Sequence, residues 1–462
     1  MDNNARQTNV GSGGKLPQRD SFGSKLGIIA AAAGSAIGLG NIWKFPYITG
    51  IFGGGAFLVV YLAFILLIGV GVMLAEFLIG RMAQRNAVGS FRELKPNSPW
   101  QYVGWMGVIA AFMILAYYGV VAGWTLSYIF KAIMNAFEGL DPDGIGTLFN
   151  NSISEGLTPI LWQIGFMAIV AWVVIAGVKD GIEKYSKILM PLLLVIIVIL
   201  DIRAVTLPGA SAGLEFLFKP DFSKLTGDGI LSALGHAFFS LSLGMGTMIT
   251  YGSYIGKKEN LGVTALQVSI ADTLIALLAG IAIFPAVFAF GIATNSGPGL
   301  VFVTLPNVFQ KMPGGYIFAI MFFVLLAVAA LTSAISILEV VVAYFTEDLN
   351  ISRKKATIIS TVGITAAGVL TSLAQGPLAD VKLFGLNFFD LFDWITANLL
   401  LPLGGLFICL FVGWILSPQK VKDELSNNGE ISIPYFGAFM IIMKIVAPAG
   451  IAVVFLHGIG MF

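Results

Sequence analysis

The sequence is short of almost everything a water-soluble enzyme uses. Only 11% of its 462 residues are charged, against about 25% in an ordinary soluble domain. Lys+Arg number 26 and Asp+Glu 25, so the net charge is +1 and no global field attracts nucleic acid or an acidic partner. The single Cys409 excludes a disulfide framework and a cysteine-based metal centre, and two histidines leave little for imidazole chemistry. His236 has no companion nucleophile or metal cluster that would make an intramembrane enzyme. No G-x-x-x-x-G-K-[ST] phosphate loop occurs, which excludes a nucleotide-driven pump. The intramembrane acids are isolated rather than ringed, which argues against a channel.

What fills the chain instead is apolar. Hydrophobic residues make up 57% of it, more than a soluble fold can hide from water. A hydrocarbon core of about 30 Å needs roughly 20 residues per helical crossing. Eleven runs qualify, at 24–50, 54–81, 101–131, 160–177, 185–203, 230–255, 262–293, 314–346, 355–374, 388–416 and 433–460. They are continuous, not alternating, so helices and not a barrel are expected. The fold class is an all-α polytopic membrane protein.

Basic residues orient it. With the N-terminus inside, eighteen of the 26 Lys and Arg fall in inner segments, six in outer ones, and Lys44 and Lys444 within spans. An odd span count then puts the C-terminus outside. Residues 1–18 are polar and Gly/Ser/Asn-rich and read as a disordered cytoplasmic tail. Span 1 follows without a cleavage-type segment, so it is a true span.

Two glycine clusters stand apart from the ordinary small-residue packing of membrane helices. Span 1 carries Gly34-Ser-Ala-Ile-Gly38-Leu-Gly40-Asn41, and span 6 carries Ser240-Leu-Ser242-Leu-Gly244-Met-Gly246-Thr247. Each places G-x-G near the middle of an apolar run. Spans 1 and 6 open two successive sets of five, and five is odd, so the second set enters the membrane inverted. An unwound turn frees backbone N–H and C=O groups that lipid cannot satisfy. Those groups must line a cavity, where carbonyls meet a cation and half-helix N-termini meet an anion. Paired breaks in matching halves thus point to a midplane binding site in a secondary transporter.

The stretch Gly34-Ser-Ala-Ile-Gly-Leu-Gly-Asn-Ile-Trp-Lys-Phe-Pro-Tyr47 resembles the neurotransmitter:sodium symporter family, in particular its bacterial members that carry hydrophobic amino acids. Glu76-Phe-Leu-Ile-Gly-Arg81, Tyr118 with Trp124, Phe239 to Tyr254 and Ala329-Ala-Leu-Thr-Ser333 match as well, and the likeness runs over residues 19–460. It implies a first five-helix repeat at 19–203, an extracellular loop at 204–229, a second inverted repeat at 230–416, and a cytoplasmic loop with an eleventh helix at 417–462. It also implies a multi-pass protein of the bacterial cell membrane, not an enzyme, that imports a small neutral amino acid with sodium by alternating access. Two sodium ions and no organic cofactor are expected. A same-fold symporter driven by protons, or one carrying a non-α amino acid, is the alternative.

The resemblance also implies residue roles. The first sodium would take Ala36, Asn41, Ser240 and Asp272, and the substrate carboxylate would complete its shell. The second would take carbonyls of Gly34, Ile37 and Ala329 with the hydroxyls of Thr332 and Ser333; hard oxygen ligands suit a small hard cation. Asp272 brings a negative charge of its own, while Ala276 stands where chloride-dependent relatives use a hydroxyl, so chloride independence is expected. The substrate would meet Ala36, Gly38, Leu39, Gly40, Ile114, Tyr118, Phe239, Ser240, Ser242, Met245, Ala334 and Ile337. Gly38 leaves room for a real carboxylate where monoamine carriers place Asp, and no charged side chain lines the pocket, so aliphatic and aromatic neutral amino acids fit. Glu76 would brace the broken helices. Lys44 and Asp393 would form the outer gate, and Arg19 with Glu347 or Asp348, covered by Phe22 and Tyr254, the inner one. Gly181 and Pro191 in span 5 would let that half unwind and water reach the second sodium.

Overall fold

The computed structural model describes residues 20–291 and 300–461. The tail at 1–18 and Arg19 of the expected inner gate lie outside the described residues.

Ten of the eleven apolar runs appear as apolar helices long enough to cross a membrane. Span 1 is the pair Lys25–Ala36 and Gly40–Ile51, bent by 47° at its break. Spans 2 to 5 are Gly55–Ala83, Gln101–Ile133, Thr158–Ile175 and Val178–Val205, and spans 7 to 11 are Leu261–Ala289, Gly315–Glu347, Arg353–Leu373, Phe388–Ile415 and Phe436–Gly458. Span 6 is divided into Gly227–Ser240 and Thr247–Gly252. Among the described residues there is no strand, only an isolated bridge between Leu383 and Leu386. Several starts carry the expected cap: Ser24, Thr226, Asn260 and Asn387 each accept a backbone N–H of the first turn with their side chains. The connections hold short helices that apolar-run counting does not detect, among them Ala87–Leu94, Pro142–Ser154, Ala210–Phe218 and Pro418–Leu425.

Spans 3 and 8 make the most extensive pairing, and span 1 packs against spans 5, 7 and 8. Large apolar side chains such as Leu161 and Trp172 of span 4, Val195 of span 5 and Ile445 of span 11 face outward, the inverse of a soluble surface and the pattern lipid would cover.

The two breaks differ in how they are made. In span 1 the chain turns extended at Ile37 (ψ 102°) and resumes as a π turn, Gly40–Lys44. In span 6 it passes through left-handed φ values at Ser242 (55°), Gly244 (79°) and Gly246 (76°). Glycine is needed at 244 for a second reason, because a Cβ there would press into the Leu401 carbonyl. Ser242 has no such freedom. Its strain is offset by the bond from its hydroxyl to the Ser35 carbonyl, 3.0 Å.

Candidate substrate and cation site

Three of the backbone N–H groups freed at the breaks have side-chain acceptors. Gly38 N–H donates to Asn41 Oδ1 at 3.0 Å, and Leu39 N–H to the Tyr118 hydroxyl at 3.2 Å. In span 6, Gly244 N–H donates to Glu76 Oε1 at 2.7 Å. Glu76, fully buried in span 2, thus holds the span 6 break as a brace would.

Between the breaks lies a cavity lined by Ser35, Ala36, Gly38, Leu39, Gly40, Ile114, Tyr118, Phe239, Ser242, Met245, Ser333 and Ile337. Ten of the expected substrate residues are in that set. Ser240 faces the neighbouring polar cluster instead, and Ala334 is buried in span 8. Ser35 and Ser333 join the lining unforeseen; the signal was small polar residues within an apolar run. The cavity measures about 20 Å³, room for roughly one water. Admitting an amino acid requires the walls to part. A hydroxyl ladder runs from Ser242 to Ser35 in the lining and on to Ser336, the last pair 2.7 Å apart.

Two oxygen clusters flank this cavity. In the first, Thr332 Oγ1 lies 3.5 Å from the Ile37 carbonyl and 3.1 Å from that of Ala329. Ser333 Oγ lies 3.4 Å from the Gly34 carbonyl, 3.0 Å from Ser35 O and 3.2 Å from Ile37 O. All five oxygens expected for the second sodium converge there. Thr332 also bonds within its own helix, to Val328 O at 3.3 Å as well as to Ala329 O, the habit of Ser and Thr in apolar helices, whereas the Ser333 bonds all cross to span 1.

In the second cluster, Asn41 Nδ2 donates to Asp272 Oδ1 at 2.7 Å, and the Ser240 hydroxyl lies 3.0 and 2.9 Å from the two Asp272 oxygens. Tyr61 reaches in from span 2, its hydroxyl 3.3 Å from Ser240 Oγ and 3.4 Å from Asp272 Oδ2. Asn41, Ser240 and Asp272 are brought together; the Ala36 carbonyl makes no bond to them. Tyr61 was missed, since one Tyr in an apolar run reads as packing. Asp272 is fully buried, and an intramembrane carboxylate is functional by default. Ala276 is buried in the same span. Among the described residues no three His, Cys, Asp or Glu side chains gather, so these sets of carbonyl, hydroxyl and one carboxylate suit a hard monovalent cation better than zinc.

Phe239 separates the cavity from a vestibule of about 420 Å³ and lines both. Lys44 stands over the Phe239 ring, Nζ 4.6 Å from its centroid. Asp393 lies near enough for its charge to act on Lys44, while the ammonium itself rests on the aromatic face. On the N-terminal side, Phe22 meets Tyr251 and Tyr254 edge-on, with centroids 5.6 and 6.0 Å away. Glu347 accepts from the Asn86 backbone at 2.8 Å, while Asp348 accepts from its side chain at 2.6 Å and pairs with Arg92. A buried network was not anticipated: Tyr254 donates to Glu339 at 2.7 Å, and Arg353 grips Glu339 at 2.6 and 3.1 Å. Gly181 lies in the π turn Val178–Glu183 and Pro191 within the helix that follows, so the proposed hinge is wound throughout.

Comparison with known proteins agrees with this geometry. The family model described as the sodium:neurotransmitter symporter family matches residues 19–138 and 147–462. The uncharacterized sodium-dependent transporter YhdH of Bacillus subtilis is 41% identical, over 95% of this chain and 97% of its own. An uncharacterized sodium-dependent transporter of Haemophilus influenzae is 37% identical over 96% and 98%. Among solved structures, MhsT in complex with L-phenylalanine superposes with a TM-score of 0.89 at 48% identity, covering 96% of this chain and all of that one.

Proposed function

Because this chain belongs to the sodium:neurotransmitter symporter family, we propose that it carries neutral hydrophobic L-amino acids into the cell together with sodium. The observation that carries the proposal is the placement of two oxygen clusters on either side of one apolar cavity. Both clusters draw on the same broken segment, Gly34 to Asn41. Sodium in either cluster would fix that segment, and the segment supplies much of the cavity wall.

The residues divide the work. The Leu39 N–H and the Tyr118 hydroxyl, now bonded to each other, are the groups that would turn to a substrate carboxylate. That carboxylate would complete the shell of a sodium ion held by Ala36, Asn41, Ser240 and Asp272, which makes the two bind as a unit. A second sodium would be held by Gly34, Ile37, Ala329, Thr332 and Ser333. Ile114, Met245, Ile337 and Phe239 offer the side chain only apolar surface, where a charged group would go unpaired. The L-phenylalanine bound by MhsT supports a large neutral side chain here as well.

Asp272 supplies an anion beside the first sodium, so chloride is not required. Alternating access follows from the two seals, Phe239 with Lys44 on one side and Phe22 with Tyr254 on the other. The excess of Lys and Arg in alternate loops makes the N-terminal side cytoplasmic and places the protein in the cell membrane, with repeats at 19–203 and 230–416. A competition panel tests the substrate class: leucine, phenylalanine and tryptophan should displace one another in sodium, whereas lysine and glutamate should not. Equal competition by lysine or glutamate would refute the apolar pocket.

A further inference from the structure

The start of span 5 grips the start of span 1. Glu183 ends the π turn Val178–Glu183 and is 3% exposed. Its Oε2 accepts the Gly23 N–H at 2.6 Å, and its Oε1 accepts the Ser24 hydroxyl at 2.9 Å. The Ser24 oxygen in turn accepts the Gly27 N–H at 3.0 Å, capping the helix Lys25–Ala36. A carboxylate on another span therefore completes the cap and sets a negative charge at a helix N-terminus, where it is favoured. Lys187, one turn further along span 5, pairs with the same carboxylate. Gly27 has to be glycine for this to happen, since a Cβ there would overlap the Glu183 carboxyl group.

Glu183 sits on the least securely wound part of its helix. Gly177 before it has φ 97°. The N–H groups of Gly181 and Ile182 share one acceptor, the Gly177 carbonyl, at 3.1 and 3.0 Å. Seven π turns occur among the described residues; this one is set apart by the glycine before it and the glycine within it, Gly177 and Gly181. Glycine lowers the cost of unwinding, and Pro191, eight positions on, has no N–H to donate.

We infer that Glu183 is a positioning residue that makes the release of span 1 and the unwinding of span 5 one event. The turn 178–183 cannot lengthen without withdrawing the carboxylate from Gly23 and Ser24. Span 1 cannot swing away without leaving that buried carboxylate to Lys187 alone. The same helix of span 1 carries the Gly34 and Ile37 carbonyls at its far end, so its departure also opens the oxygen cluster around Thr332 and Ser333. The inference rests on the alternating access proposed above but not on the identity of the substrate.

The test uses the full-length purified protein in sodium and in potassium, without substrate, so that failure to transport an amino acid would not obscure it. Spin labels at Leu26→Cys and Lys355→Cys, both exposed, in a Cys409→Ala background read the separation of span 1 from span 9. Hydrogen exchange of the segments 22–33 and 178–190 is followed in parallel. Glu183→Ala should raise the long-distance population in sodium on the order of tenfold, by removing bonds to a charged group. Gly27→Ala should do the same while keeping the carboxylate. Glu183→Gln, whose amide oxygen can still accept one bond, should fall between and serves if Glu183→Ala does not fold. Exchange should rise in both segments together. Unchanged distances in folded variants, with only a lower melting temperature, would reduce Glu183 to a structural cap and overturn the inference. So would faster exchange confined to 22–33.

Discussion

Asp272→Asn removes one charge and almost no volume from the cluster beside the cavity. The present bonds, from Asn41 Nδ2 at 2.7 Å, Ser240 at 2.9 and 3.0 Å and Tyr61 at 3.4 Å, can be largely rebuilt around an amide. Ser240 and Tyr61 can rotate their hydroxyls, and the new amide can keep its oxygen toward Asn41 Nδ2, whose own Oδ1 stays with the Gly38 N–H. What cannot be rebuilt is the charge. A sodium ion about 4 Å from a carboxylate gains about 4 kcal/mol at an effective dielectric of about 20, which corresponds to on the order of a thousandfold in affinity. The variant should therefore need far more sodium to bind a labelled amino acid when gluconate is the only anion. Chloride should restore part of the loss, because a small anion can stand where the carboxylate was. The wild-type protein should bind and transport equally in chloride and gluconate. Scintillation binding over a sodium titration in each anion reads all three outcomes. A variant that kept its sodium affinity within about threefold in gluconate, or a wild type that needed chloride, would refute the role assigned to Asp272.

Gly38→Ala should weaken substrate binding more than tenfold, because its Cβ would collide with Ser333 Oγ and stand 3.0 Å from the Tyr118 hydroxyl; equilibrium binding of labelled phenylalanine checks it. Glu76→Ala should strand the Gly244 N–H and cost about 1–3 kcal/mol, whereas Glu76→Gln keeps an acceptor and should change the melting temperature much less. Pro191→Ala should slow turnover several-fold and leave equilibrium substrate binding nearly intact, as single-turnover and steady-state uptake would show. Thr332→Val deletes one of the five oxygens expected to hold the second sodium and should lower sodium affinity about tenfold or more, read from the sodium dependence of binding.

The eleven spans were legible because each apolar run is long and nearly uninterrupted, and most described helices agree with them within a few residues. Span 5 begins at Val178, seven residues before the run at 185–203, because its first turn is polar and carries Lys179, Asp180 and Glu183. The breaks were legible for a different reason. G-x-G within a hydrophobic run has no purpose in a straight helix, and φ values of 79° and 76° at Gly244 and Gly246 are what those residues supply. Other features leave little trace in one dimension. The π turns at Gly40–Lys44 and Val178–Glu183 add one residue per turn without altering composition. Tyr61, Ser35 and Ser336 matter because of what they face across the bundle, which periodicity within a single span does not report. The charged groups were less legible. Lys44 lies on a ring while Asp393 acts on it through charge, and Glu347 and Asp348 take bonds from Asn86 besides. The pair of buried Glu339 and part-buried Arg353 joins the C-terminal half of span 8 to the start of span 9. Long side chains choose among several partners within reach, and charge counting along the sequence cannot rank them.

Uptake of labelled phenylalanine or leucine into proteoliposomes with an imposed inward sodium gradient bears most directly on the central claim. Accumulation above equilibrium in sodium, absent in potassium and abolished by Asn41→Leu, is the predicted result, since Asn41 joins the broken segment to Ser240 and Asp272. Equal uptake in potassium, or full sodium-driven uptake by Asn41→Leu, would contradict coupling through the span 1 break.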